Sequence, residues 1–288
     1  PGDAVLYADH DYDAMQTAMR WLKLRRGVDV IAIDLPEPAT HQGLIDAYAA
    51  ALAAHPRVRM MLLTQVSHRN GLVLPVAEIT AMARARGVDV ILDSAHAWGQ
   101  LDFRLPDLGA DFVGLNGHKW IGAPLGVGVL YIRKDRLGEV DPFMGEDHVP
   151  PDDVRSRVHS GTANMAAFLA LNEALDFHEA IGVTAKSARL TAVQRAWTDP
   201  LRAMPGIDVL TPQDPRLVCA IGAFRLTGRT SEADNIALAR RLLDQFAIFT
   251  VHRSGLSRGA CVRVTPALFT AEADVLKLAG AVRMIAGG

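Results

Sequence analysis

The stretch from Val90 to Tyr131 restricts the possible folds more than any other part of the chain. Within it, Val90-Ile91-Leu92 ends in Asp93, and the run from Ala110 to Leu115 ends in Asn116-Gly117-His118-Lys119. Apolar runs this short, each closed by polar residues, read as strands buried on both faces of a parallel sheet. Ligands of open α/β sheets bind at the carboxyl ends of the strands. Asp93, His96, His118 and Lys119 are therefore expected at one edge, forming a candidate site. A glycine-rich turn, Ile121 to Gly128, follows at once.

The residues before this stretch alternate in the same way. Strands are expected over 4–7, 28–33 and 58–64, and helices over 12–26, 41–54 and 76–86. Strand-helix alternation implies right-handed crossovers and a mostly parallel sheet with helices on both faces. The segment from Arg133 to Val154 is rich in Pro, Asp and Gly and reads as a functional loop. Helices over 163–181 and 184–202 come next. From Ile207 the pattern changes to strands over 209–210, 218–226, 248–251 and 261–265, with helices over 231–246 and 271–286. This is an α+β unit, so the expected division is a large domain, 1–180, and a small one, 181–288.

Composition narrows the function. Half of the 288 residues are hydrophobic, enough for a substantial core, and the net charge of -2 gives no reason to expect nucleic acid or a membrane surface as partner. No apolar run is long enough to span a bilayer. The only cysteines, Cys219 and Cys261, fit no metal spacing and no disulfide framework, so a reducing, cytoplasmic setting and no metal are expected.

Lysine and aspartate at adjacent strand ends allow a narrow chemistry. A lysine on a partly dry strand end loses its proton more easily than in water, and the neutral amine forms Schiff bases with carbonyls. An aspartate facing a pyridinium nitrogen keeps that nitrogen protonated and makes the ring an electron sink. Taken singly, Asp93 would read as a helix cap and Lys119 as a surface lysine. Together, each closing an apolar strand and joined by Ala95-His96 and Gly117-His118, they read as a site.

The motifs D-x-A-H-x-x-G at 93–99, L-G-A-D-F at 108–112, G-H-K at 117–119 and P-L-G-V-G-V-L-Y at 124–131 resemble the class V aminotransferase family. The resemblance runs along the whole chain. It implies a fold-type I enzyme with pyridoxal 5'-phosphate as cofactor, an amino-acid substrate and a homodimer. Lys119 would carry the cofactor as a Schiff base and move protons at the substrate Cα. Asp93 would pair with the pyridine nitrogen, and His96 would reach the ring oxygen or the substrate. His118 and Asn116 would lie toward the phosphate. Gln65 stands beside the pyridine ring, where relatives often have Asn or His. Tyr12 or His10 would stack on the ring; Tyr12 also reads as a helix-start packing residue, and His68 and Arg69 read equally as loop residues. In G-T-x-N, Thr162 would bind the phosphate of the neighbouring subunit, although Ser160 and Thr162 also read as helix N-caps. Arg263 matches the arginine that clamps the α-carboxylate, with Arg253 and Arg258 near enough for a second carboxylate. In the family the opening P-G-D-x-V-L is internal and part of the phosphate cradle precedes it, so the sequence is expected to be N-terminally incomplete.

The reaction is less constrained. A cysteine desulfurase needs a thiolate on the loop ahead of the arginine, and Arg253 to Gly259 contains no cysteine. Cys261, in the following strand, reads as a packing residue. The segments D-H-D-Y-D-A, S-A-H-A-W-G-Q and N-G-H-K-W resemble isopenicillin N epimerase-like members, which implies removal of an α-proton and its return to the other face by two bases. Lys119 would be one; the other is not assigned. The alternatives are a lyase acting at Cβ or sulfur, an aminotransferase, or a catalytically silent dimer partner.

Overall fold

The computed structural model describes residues 2–144, 147–158 and 161–287. Its larger sheet consists of β1 (Ala4–Ala8), β2 (Asp29–Ile33), β3 (Val58–Thr64), β4 (Asp89–Asp93), β5 (Phe112–Asn116) and β6 (Gly128–Ile132), in the spatial order β2-β1-β3-β4-β5-β6. The first five strands are parallel and β6 closes the edge in the antiparallel sense. Alternate side chains divide between the faces, as the pleat requires. Leu6, Met61, Leu63, Val90, Leu92 and Val113 share a core with Leu44 and Tyr48 of the helix His41–Ala54 and with Ile79 of the helix Val76–Arg84. On the opposite face Val5, Tyr7 and Leu62 pack on Met19 of the helix Asp13–Arg26. These helices are α1 (Asp13–Arg26), α2 (His41–Ala54) and α3 (Val76–Arg84). Helices thus cover both faces of a mostly parallel sheet.

The carboxyl ends of the central strands are level. Thr64 of β3 lies opposite Asp93 of β4, and Asp93 opposite Gly114 of β5. A buried carboxylate stands just before β5. Asp111 accepts from the Val90 amide at 3.0 Å and pairs with Arg133 and Arg136, both at 3.0 Å. The strand begins at Phe112 rather than Ala110, and just before it the Asp111 carbonyl accepts from the Arg133 amide at 3.0 Å. The same arginines hold the start of the expected loop from Arg133, which contains 3-10 turns at Lys134–Glu139 and Val154–Arg157.

A short helix, α4 (Leu105–Leu108), precedes β5, and α5 (Met165–Ile181) and α6 (Val183–Arg202) follow β6. Asn164 caps α5 by accepting from the Ala167 amide, so the cap is neither Thr162 nor Ser160; Ser160 lies outside the described residues. The second sheet is antiparallel, β7 (Ile207–Val209), β8 (Gly222–Leu226), β9 (Val251–Arg253) and β10 (Cys261–Val264), ordered β7-β8-β10-β9. Trp197 of α6, Phe224, Val262, Leu242 of α7 (Glu232–Phe246) and Val282 of α8 (Glu272–Gly287) form its core. Among the described residues, no helix is long and apolar enough to cross a membrane.

The loop after β3 joins the sheets. Residues 218–221, expected as the start of a strand, instead form a buried crossing in which Cys219 and Ile221 pack on Val66, Val73 and Ala97. Gly71 makes this contact possible. It has φ +76, and an added Cβ would overlap the Ile221 carbonyl. Replacing Gly71 by alanine combines a left-handed backbone with a backbone clash, so the expected loss is roughly 2–5 kcal/mol. Urea denaturation of Gly71→Ala against the parent measures it; equal midpoints would refute the account.

Candidate active site

Asp93 ends β4, and its Oδ1 accepts from the Ala95 amide at 2.9 Å. Burial pushes its carboxyl above the ordinary value, against the Ala95 N–H and the charge of Lys119, which both lower it. Lys119 follows β5 on the G-H-K turn. Burial brings its amine below the ordinary lysine value, with Asp93 opposing the shift and Arg263 adding to it. Lys119 is thus within electrostatic reach of both Asp93 and Arg263, although Arg263 belongs to the other sheet.

His96 completes this group. The indole Nε1 of Trp120 donates to His96 Nδ1 at 3.1 Å. Since indole is only a donor, Nδ1 must be unprotonated and Nε2 carries the ring proton. Burial, followed by the charges of Lys119 and Arg263, depresses the imidazole to about 2. His96 is thus a fixed neutral donor through Nε2. Gly99 permits the pairing: with φ +95, its missing Cβ would stand 2.7 Å from the Trp120 carbonyl carbon. The Gln100 side-chain amide donates to the His96 carbonyl and holds the turn closed.

The other expected residues are placed as follows. Gln65 is buried and its Oε1 accepts from Ser94 Oγ at 2.6 Å, which leaves only its amide nitrogen to meet a ligand. His10 is buried with both ring nitrogens engaged, Nδ1 with Asp9 at 2.6 Å and Nε2 with Asn70 at 3.1 Å. Tyr12 is exposed, meets the His68 ring edge-on at 5.0 Å, and lines a cavity of about 580 Å³ together with Asp93 and Asn116. Of the two candidate stacking rings, only Tyr12 is free to meet a ligand. His118 is half-buried, and Thr162 is exposed.

Arg263 donates through Nη1 to the His68 carbonyl at 2.7 Å, and its Nε has no partner. Burial and then the neighbouring Arg253 bring its guanidinium down to about 10. Arg253 lies opposite Cys261 in the ladder, whereas the side chain of Arg258 is exposed. Arg69 pairs with Asp13 at 2.6 Å, and burial followed by the charge of Arg69 depresses His68 to about 3. Cys261 is buried and burial pushes its thiol up to about 12, so it offers no thiolate; Cys219 is placed alike. Among the described residues no group of three or more His, Cys, Asp or Glu could hold a metal.

Residue patterns gave no sign of Asp11. It is buried at the ends of β1 and β3, accepting from Thr64 Oγ1 at 2.6 Å and from the Ala8 amide at 2.7 Å. Burial, with the negative charge of Asp93 adding to it, lifts its carboxyl to about 7. The signal was available in D-H-D-Y-D, where one of the acidic residues had to turn inward, but no periodicity says which.

An α/β sheet with a shielded lysine and a buried carboxylate at its carboxyl edge, and an arginine of the second sheet nearby, defines the class of enzyme that binds a carbonyl cofactor. Residues 1–249 match the family model described as aminotransferase class-V. Isopenicillin N epimerase of Streptomyces clavuligerus is 33% identical over 307 residues, covering 100% of this chain and 75% of that protein. A putative L-cysteine desulfhydrase 1 of Oryza sativa subsp. japonica is 33% identical over 192 residues, 61% of this chain and 38% of that one. Among solved structures, the cystine C-S lyase C-DES in complex with cysteine persulfide superposes with a TM-score of 0.80 at 23% identity, covering 98% of this chain and 75% of its own. The chain belongs to the class V aminotransferase family, with the fold of the type I pyridoxal-phosphate enzymes, and it is a pyridoxal-phosphate-dependent enzyme.

Asp11 generates a pH prediction. Its folded value of about 7 against an ordinary 3.8 means that the folded state keeps a proton which the unfolded state has lost. Its contribution to stability is full below 3.8 and falls as pH rises toward about 7. Unfolding free energies of the parent minus those of Asp11→Asn should therefore decline across that window, by at most about 1.4 kcal/mol per pH unit. Denaturant titrations on both sides of the window measure this, and a flat difference would contradict it.

Proposed function

We propose that this class V enzyme removes the α-proton of an amino acid and returns it to the opposite face, as an epimerase or racemase of the isopenicillin N epimerase type. One observation carries the reading. A lysine amine of lowered basicity lies within electrostatic reach of a buried carboxylate and of an arginine whose Nε is unpaired, and both cysteine thiols are held up by burial. The absence of a thiolate sets it apart from desulfurases. The similarity to an epimerase along the whole chain supports it further.

The residues present fit pyridoxal 5'-phosphate. When bound, that cofactor supplies an electron sink which makes the α-proton of an attached amino acid removable. Lys119 would hold it covalently through its aldehyde, since burial leaves more of its amine neutral. Asp93 would face the ring nitrogen: a carboxylate costly to bury alone is offset by a cationic N–H. The Nε2 proton of His96 is available to the ring oxygen. His118 and Asn116 would meet the phosphate, with Thr162 from the neighbouring subunit of a homodimer. Tyr12 would lie on the ring face, and the Gln65 amide beside it. Residues 1–180 would form the cofactor domain and 181–288 the smaller one, which has a core around Trp197 and Phe224 while its Leu217, Cys219 and Ile221 pack on the larger.

Arg263 would take the α-carboxylate in a bidentate pair, which its planar fork favours. That pairing fixes the Cα–H bond relative to Lys119. The free Lys119 amine would take or deliver the α-proton on its own face, and delivery to the opposite face needs a second base on that side.

In deuterated water the cofactor-loaded full-length enzyme should place deuterium at Cα of its substrate with inversion. Keto acid or sulfide release instead would sink the epimerase reading in favour of a transaminase or lyase. Lys119→Ala should lose the cofactor's visible band and cut exchange by about 10²–10⁴-fold. Arg263→Ala should raise KM by about 10–100-fold, the worth of a charged hydrogen-bond pair; an unchanged KM would remove it from the substrate site.

A further inference from the structure

A second cavity, of about 440 Å³, opens beside Lys119 and is lined by Phe177, His178, Lys186, Leu190 and Leu268 among others. Its walls are mostly apolar, and Lys186, only 3% exposed, is the buried charge within it. The hydrogen bonds define the tautomer of the histidine beside this amine. His178 Nε2 lies 2.9 Å from the Ile121 carbonyl, so Nε2 carries the ring proton. His178 Nδ1 must then accept, and it does so from Lys186 Nζ at 2.6 Å. The histidine contact therefore brings no negative charge to Lys186.

Among the described residues no carboxylate pairs with Lys186, and His178 is its one hydrogen-bond partner. Burial brings the Lys186 amine below the ordinary lysine value, which an anion placed beside it would oppose, and its donors beyond the one to His178 are left over. The position adds a second cost. Lys186 sits in the first turn of α6 (Val183–Arg202), where the helix dipole is positive and favours an anion rather than a cation. A buried ammonium at this end of a helix, facing a cavity large enough for a small organic group, is a built receptor for an anion.

The cavity runs from Lys119 to Lys186, so its occupant would share a molecule with whatever reacts at Lys119. We infer that it takes the substrate's side chain, with the apolar walls holding an aliphatic stem and Lys186 binding an acidic group at its far end. The favoured substrates are then amino acids whose side chains end in a carboxylate or a comparable anion. This rests on the reading of Lys119 as the cofactor-bearing residue.

The test titrates the cofactor-loaded full-length protein with L-glutamate, L-2-aminoadipate and L-2-aminopimelate, and with the apolar counterparts norvaline and norleucine. Dissociation constants come from the change in the cofactor's visible band. At least one acidic probe should bind about 10–100-fold more tightly than its apolar counterpart. In Lys186→Gln, which keeps a donor to His178 but drops the charge, that ratio should fall toward one, and Lys186→Arg should restore part of it. A purely structural role would weaken acidic and apolar probes alike and leave the ratio intact. An intact ratio in Lys186→Gln, or no acidic preference in the parent, overturns the inference while the cofactor reading stands. A parent protein that develops no visible band with cofactor overturns both. Should Lys186→Gln lose its folded circular dichroism, Lys186→Met, which suits a buried apolar wall, gives the same ratio.

Discussion

The site depends on keeping Lys119 and Asp93 partly dry at the level ends of β4 and β5. Water would return both to ordinary ionisation and screen their mutual attraction. Each bears a burial cost that the other only partly offsets, as the opposing directions of their shifts show. An arrangement of this kind is unfavourable for the empty protein and becomes favourable when a ligand supplies the missing partner. Such tension between burial and pairing is where pKa values depart from normal and where catalytic groups concentrate.

The second sheet adds positive charge to this edge. Arg263 and Arg253 stand together on β10 and β9, and Arg69 joins them from the loop after β3, with Asp13 as the acidic group in contact. The chain as a whole carries a net charge of -2, so this concentration is local. Its effect reaches the histidines: burial and nearby cations hold both His96 and His68 neutral. Neutral imidazoles with one assigned proton act as directional donors, whereas imidazolium ions would add charge and lose the acceptor that Trp120 uses. The cationic seam and the neutral donors are therefore one feature, suited to a cofactor and substrate that both bring negative groups.

Much of this was legible in the sequence because it depends on short-range order. Strand-helix alternation, the apolar runs ending in Asp93 and Asn116, and the helix stops at Gly27 and Gly182 are local signals. The family motifs carried the type of cofactor. What escaped were features decided by contacts between distant residues. β5 starts at Phe112, just after Asp111 pairs with Arg133 and Arg136, and residues 218–221 leave the second sheet because the loop after β3 claims them. β9 is displaced to Val251–Arg253 because Ala247, at φ 53, turns the chain after α7 and delays the ladder. The tautomer of His96 depended on Trp120, a residue that reads only as bulk in one dimension.

The two cavities that adjoin Asp93 and Lys119 separate the tasks of the site. The larger one lies along a face of the sheet over β4, β5 and β6 and reaches Asp93, Asn116 and Tyr12. The other lies behind the lysine turn, between α5, α6 and the segment after β10. Asp93 lines the first cavity and Lys119 the second. Cofactor chemistry at the first can stay constant while the residues of the second vary with the substrate. If the proposed roles hold, the central strands would hold the cofactor, and α5, α6 and the segment after β10 would choose the substrate. The helices α5 and α6 were legible as helices, but which of their side chains share a cavity with Lys119 is decided by packing, so the proposed substrate class has to be read from that cavity.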